Sequence, residues 1–256
     1  MEEKDKKLKP LGWGSSITIF LVTAILLRVT HYIFAPAYKL ATGKPYLVGY
    51  LIGWVSTMFL FFLASLIAYK LDRHPINMKA FVSRYRLDRM EKADWFWTLA
   101  MIIFAVISLF ALSFTQTILK SVAFFSPHPA FPPDMVDMVN KLSPGVLFDM
   151  PLRGKWWLIG VYLIGWLLNI FGEEFWYRGW MLPRQEIAFG KYAWIINGLM
   201  FNFQHTFQPW NMLAMLPGSL FLSYAVQRQR KTWMSIIWHG LLNISLLIFI
   251  IQGVIG

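Results

Sequence analysis

The chain has 256 residues, 57% of them hydrophobic and only 14% charged, with a formal net charge of +11 and no cysteine. A soluble domain is nearer a quarter charged, so a polytopic membrane protein is expected, while disulfides and Cys-ligated metals are excluded. Nothing resembles a module that reads RNA or DNA, and the positive charge is instead a topology signal and an attraction to anionic membrane lipid.

The opening MEEKDKKLKP precedes an apolar stretch with no convincing small-residue cleavage site directly after it. The first helix, about 14–35, is therefore read as a retained span rather than a signal peptide. Arg28 and His31, near its far end, are expected to snorkel toward water. Spans at about 46–69 and 95–122 follow, each with a stretch of about 25 residues free of Asp, Glu, Lys and Arg, where about 20 suffice. Between them, residues 77–92 mix Phe81, Val82, Tyr85, Leu87 and Met90 with seven charges, the pattern of an interfacial amphipathic helix. Residues 125–155 are rich in proline and read as a solvated outer loop with a short helix at 133–142. In that loop His128, Asp134 and Asp137 are taken as solvated side chains rather than metal ligands.

The fourth helix, about 156–188, is too long for the bilayer alone and is expected to project from it. The uncharged run 192–227 is long enough for two helices, about 192–207 and 210–227, turning near Gln208–Pro209, and a last helix covers about 233–253. The expected fold is thus all-α and polytopic, with about seven transmembrane helices. In that arrangement sixteen of the 24 basic residues lie on the side of the N-terminus and six on the other, with Arg28 and Arg178 inside spans. The excess predicts a cytoplasmic N-terminus and an outer C-terminus. No internal repeat of the kind found in transporters is present. Residues 1–150 read as an N-terminal transmembrane region and 151–256 as the part that carries chemistry.

That division rests on where the polar residues lie. Ionisable groups inside a span cost a few kcal/mol or more at mid-bilayer, yet Glu173, Glu174 and Arg178 occupy the fourth helix, His205 the fifth, and His239 with Asn243 the last. Glu174 and Arg178 are four apart and share a face, whereas Glu173 is rotated by about 100°. One carboxylate is expected to be neutralised by Arg178 and the other to remain free. His239 and Asn243 share one face, and Phe201 stands one turn from His205. If the fourth and fifth helices turn at Gly190, Glu174 and His205 lie level, each about 22 Å from the turn. Asn169, Asn197 and Asn211 are read as helix-to-helix glue.

Three motifs therefore occur in order: Glu-Glu-x-x-x-Arg at 173–178, Phe-x-x-x-His at 201–205 and His-x-x-x-Asn at 239–243. The set resembles the CAAX protease and bacteriocin-processing (CPBP, or Abi) family of intramembrane proteases, related to type II CAAX prenyl endopeptidases. The resemblance covers about residues 150–250. It implies a general base at Glu173, a supporting ion pair of Glu174 and Arg178, and Phe201 as a supporting ring. It also implies a water-orienting or metal-binding role for His205, and His239 with Asn243 completing the site, Asn243 as an oxyanion donor. Tyr177 stands where the family often has Phe, and Asn202 and Gln204 make the second motif more polar than the family pattern. The implied partner is a hydrophobic or lipidated peptide, and the expected location a prokaryotic plasma membrane.

Amide hydrolysis needs a base to activate water and donors to hold the oxyanion, and these residue types supply both. With no cysteine and no Ser-His-Asp order, two mechanisms stay open. One uses Glu173 and His205 on water without metal. The other places zinc on Glu173, His205 and His239. The metal-free form is the expectation taken forward. A bacteriocin-immunity or peptide-binding protein that needs no cleavage is the alternative function, and a transporter with a glutamate proton relay is a third reading.

Overall fold

The computed structural model describes residues 8–129, 131–136 and 145–256. Helix α1, Trp13–Val29, runs through a π-helical turn, Thr30–Phe34, into α2, Ala35–Thr42. The first helix is therefore longer than the expected 14–35, and Gly43, at φ 67°, caps its end. The π-turn has a local cause. Ala35 N–H reaches back to the Thr30 carbonyl, and Pro36 one residue later has no N–H to give. The His31 carbonyl is taken instead by the Tyr46 hydroxyl at 2.8 Å.

Helix α3, Tyr46–Leu71, is followed by α4, Met78–Arg84, whose start is capped by Asn77 Oδ1 accepting from Ala80 N–H at 2.9 Å. The expected helix over 77–92 stops early because Arg86 turns into the left-handed region at φ 56°. Tertiary bonds draw it there. The Arg86 carbonyl accepts from Thr232 N–H at 2.9 Å, and its guanidinium makes two bonds to Glu186, at 2.7 and 2.6 Å. Helix α5, Lys92–Ala111, and α6, Phe114–Lys120, replace the single expected helix 95–122, with a break at Leu112–Ser113.

The following segment is not a solvated loop in its described part. Within α7, Pro133–Val136, Asp134 is only 8% exposed and accepts from Phe148 N–H at 2.6 Å. His128 packs its ring 5.3 Å from Tyr32. The remainder of the expected helix 133–142, with Asp137, lies outside the described residues. A two-stranded hairpin, β1 Val146–Leu147 and β2 Met150–Pro151, then folds against the buried cluster that holds Leu27, Tyr46 and Trp210.

Helix α8, Trp157–Glu174, continues through a second π-turn, Phe175–Met181, into α9, Leu182–Phe189. Helices α10, Ala193–Gln204, α11, Met212–Gln229, and α12, Thr232–Ile255, complete the chain. The turn between α9 and α10 is made by Gly190 at φ 56°, as the sequence predicts.

The protein is an all-α membrane protein. Among the described residues, five stretches are long and apolar enough to cross a membrane: Trp13–Thr42, Tyr46–Leu71, Lys92–Ala111, Trp157–Phe207 and Thr232–Ile255. The fourth contains the α8–α10 hairpin. Helix α11 falls short of the set, because it ends in Gln227, Arg228 and Gln229 and carries Ser219 and Ser223 inside. Large side chains such as Val22, Ile25, Leu99, Ile103 and Ile107 are exposed along these helices, as contact with hydrocarbon requires.

Helix α3 lies directly against α8. A Cβ on Gly172 would stand 2.9 Å from the Met58 carbonyl oxygen and 3.1 Å from Phe62 N. This backbone-to-backbone approach sits one residue before the paired glutamates, and only glycine permits it.

Candidate active site

Glu173 and Glu174 end the regular part of α8, and the π-turn begins with the next residue. Both carboxylates are buried. Their partners differ. Glu174 Oε1 accepts from Arg178 Nη1 at 3.3 Å and from His239 Nδ1 at 2.9 Å. Ser235, one turn before His239, stands beside the same carboxylate. Glu173 receives no cation of this kind. Its Oε1 accepts from Asn169 Nδ2 at 3.0 Å and its Oε2 from Gln204 Nε2 at 3.2 Å. The expected pairing of Glu174 with Arg178 is present. The expected free Glu173 is instead held between two neutral amides, because Asn169 lies one turn earlier on the same face.

The network continues from there. Asn169 Oδ1 accepts from Asn243 Nδ2 at 3.3 Å, which joins α12 to α8 a second time. Arg178 places its guanidinium carbon 3.8 Å over the Phe201 ring. Phe201 in turn meets His205 edge-on, with ring centroids 5.1 Å apart. Residues of α8, α10 and α12 are thereby brought to one level, and the 2.9 Å bond from His239 to Glu174 fixes the depth of α12. Arg178 Nε and Nη2, Glu174 Oε2 and Gln204 Oε1 are buried with no hydrogen-bonding partner, so the cluster holds unused donors and unused acceptors.

His205 makes no hydrogen bond to either carboxylate among the described residues. It begins the 3₁₀ turn His205–Phe207 after α10, and its Nδ1 bonds the Phe201 carbonyl at 2.9 Å. That bond makes Nδ1 the protonated nitrogen and leaves Nε2 as an acceptor. Gln204, its neighbour, occupies the position beside Glu173.

Sequence reasoning missed Asn169 and Gln204 as members of this site. Both carried a usable signal: Asn169 is four residues before Glu173, and Gln204 falls within two residues of level with it across the Gly190 turn. Arg28 and His31 were also misplaced. Arg28 Nη1 donates to the Thr206 carbonyl at 2.8 Å, and His31 is 2% exposed.

A zinc site on Glu173, His205 and His239 does not fit this geometry. No three His, Asp or Glu side chains among the described residues converge as metal ligands. Glu173 accepts an amide hydrogen bond on each oxygen, and His239 bonds Glu174 through Nδ1. A cavity of about 440 Å³ lies elsewhere, on the far side of α10, lined by Leu199, Asn202, Phe203, Leu213 and Leu216 among others, and it includes no motif residue.

Below α9 a basic group supports the π-turn. Pro183 cannot donate to the Gly179 carbonyl four residues back, and Arg84 Nη1 donates there at 2.9 Å instead. Burial, with the neighbouring Arg184 charge, pulls Arg84 down to about 10, so it remains a cation at neutral pH.

Residues 155–245 match the family of type II CAAX prenyl endopeptidase Rce1-like proteins. No curated protein and no solved structure gives a match to the chain. All three motifs lie inside the matched residues, in order, and their helices meet in one buried polar network. Through that segment, about a third of the chain, the protein is similar to type II CAAX prenyl endopeptidases of the Rce1-like kind.

Proposed function

We propose that the protein hydrolyses a peptide bond in a hydrophobic or lipidated membrane-associated peptide, with water activated by Glu173. The observation that carries this reading is the unequal company of the two carboxylates. Glu174 is tied to Arg178 and His239 and is committed to its charge. Glu173 accepts its hydrogen bonds from neutral amides alone and is the carboxylate able to take a proton from water.

In this reading Glu173 removes a proton from water as the oxygen attacks the scissile carbonyl carbon. His205 Nε2 accepts from the second water hydrogen and orients the nucleophile. Asn243 spends one Nδ2 hydrogen on Asn169, and its other hydrogen meets the oxyanion. Collapse of the tetrahedral intermediate breaks the C–N bond, and Glu173 returns its proton to the leaving amine. His239 acts through Glu174, holding the ion pair against α12.

The test is cleavage of a quenched farnesylated peptide reporter by protein reconstituted in liposomes. Glu173→Gln is expected to abolish turnover while the protein stays folded and membrane-embedded. Turnover is expected to survive chelation, with elemental analysis finding no stoichiometric zinc. Full activity of Glu173→Gln refutes the glutamate base. Loss on chelation with recovery on adding zinc refutes the metal-free route. Retention of a biological effect without any cleavage favours an immunity or peptide-binding role.

A further inference from the structure

Residues 28–32 lie outside the matched segment, yet they converge on the turn that carries His205. Arg28 Nη1 donates to the Thr206 carbonyl at 2.8 Å, and the Tyr32 hydroxyl donates to the Phe207 carbonyl at 3.2 Å. The His31 ring stacks on Phe207 with centroids 4.3 Å apart and planes at 24°. Phe207 itself lies 5.6 Å from the His205 ring. Arg28 and Tyr32 brace each other, with the guanidinium carbon 4.5 Å above the tyrosine ring.

Three side chains can reach one target because Arg28, His31 and Tyr32 are spaced i, i+3 and i+4 and so share one face of the first helix. That target is a helix end. The last carbonyls of α10 and its 3₁₀ extension have no partner within the helix, and a cation is favourable at such a terminus. Gln208 N–H closes the turn on the His205 carbonyl at 2.8 Å.

We propose that Arg28, His31 and Tyr32 are positioning residues for His205: the first helix clasps residues 205–207 and so sets where the imidazole Nε2 points. This rests on the reading of His205 as the group that orients the attacking water. It gives the N-terminal half a part in the chemistry that none of the three motifs records. None of the three side chains touches the reacting atoms.

The experiment measures kcat and KM for the farnesylated reporter in liposomes with Arg28→Met, Tyr32→Phe and His205→Ala, alone and combined. Loss of water alignment is expected to lower kcat for Arg28→Met by about ten- to a hundred-fold, as for a small displacement of a positioned group. KM should stay unchanged, because no ground-state contact with substrate is removed. Tyr32→Phe, which deletes a single oxygen, is expected to give a smaller fall of the same kind with an unchanged melting temperature, and Arg28→Lys to recover part of the Arg28→Met loss. In the His205→Ala background neither change should lower turnover further. A large loss for His205→Ala with full activity for Arg28→Met and Tyr32→Phe overturns the clasp alone. Full activity of His205→Ala overturns the assigned role of His205 and the clasp with it. Losses that add to that of His205→Ala, or that appear in KM, also overturn it.

Discussion

Glu173 and Glu174 are adjacent in the chain but meet different chemistry, and substitutions should separate them. Glu174→Gln or Arg178→Ala breaks a fully buried ion pair and leaves one charge uncompensated, an expected loss of about 3–5 kcal/mol. Glu173→Gln keeps the shape and removes no cation's partner, so its melting temperature in detergent should lie close to that of the parent. Equal losses at the two positions would remove the basis for assigning them different roles. The ion pair was legible from spacing alone, because four residues on a helix bring side chains to one face. Gln204 was not, since an amide beside a motif histidine looks incidental until the hairpin sets it opposite Glu173. Asn169 was legible as helix glue only, although the same four-residue spacing tied it to Glu173.

Two helices among the described residues are interrupted by π-turns, and each π-turn ends close to a proline, Pro36 or Pro183. Hydropathy shows such segments as plain helix, because the extra residue per turn changes no residue's character. The supports come from distant chain: Tyr46 for the His31 carbonyl and Arg84 for that of Gly179. Arg84→Met should therefore leave a buried carbonyl unpaired and cost about 1–3 kcal/mol. Adding Pro183→Ala to it restores an N–H four residues after Gly179 and should recover part of that loss. Thermal unfolding of the two single variants and the double variant checks this, and strict additivity would count against the shared carbonyl. The truncated helix over 77–92 has the same origin. Its amphipathic pattern was real, but bonds from Arg86 to Thr232 and Glu186 overrode local propensity.

At the scale of the molecule, the two parts of the chain share their interior. Leu27, Tyr46 and Met58 from the first part pack in one cluster with Tyr162, Trp210 and Ile250 from the second. One close seam is at Gly172, where α3 touches α8 through backbone atoms that cannot rotate away. Gly172→Ala is expected to destabilise by about 1–3 kcal/mol through overpacking. Gly160→Ala on the same helix meets nothing within 4 Å and should be neutral or slightly stabilising. Equal effects in a thermal-unfolding comparison would show that the seam is soft. Composition and run length were enough to read an all-α membrane protein and the turn at Gly190, whereas about seven spans were expected and five stretches among the described residues are long and apolar enough. The break at Leu112–Ser113, the hairpin at 146–151 and the seam itself depend on contacts between distant residues, which a one-dimensional pattern does not encode.

The π-turn Phe175–Met181 also sets a phase. An ordinary α-helix advances about 100° per residue, and the wide turn inserts one residue's worth of rotation between the glutamates and α9. Beyond it, Arg184 reaches Asp72, Gln185 bonds Ser16 and Asn197, and Glu186 holds Arg86. Loss of a single residue at Gly179 would leave Glu173, Glu174, Arg178 and both later motifs unchanged letter for letter. It would also turn α9 by about 100° and pull all three of those side chains from their partners. The helix would become more regular as the wall of the site came apart. In a sequence related to this one, the number of residues from Arg178 to Pro183 therefore carries as much information as the motif letters before it.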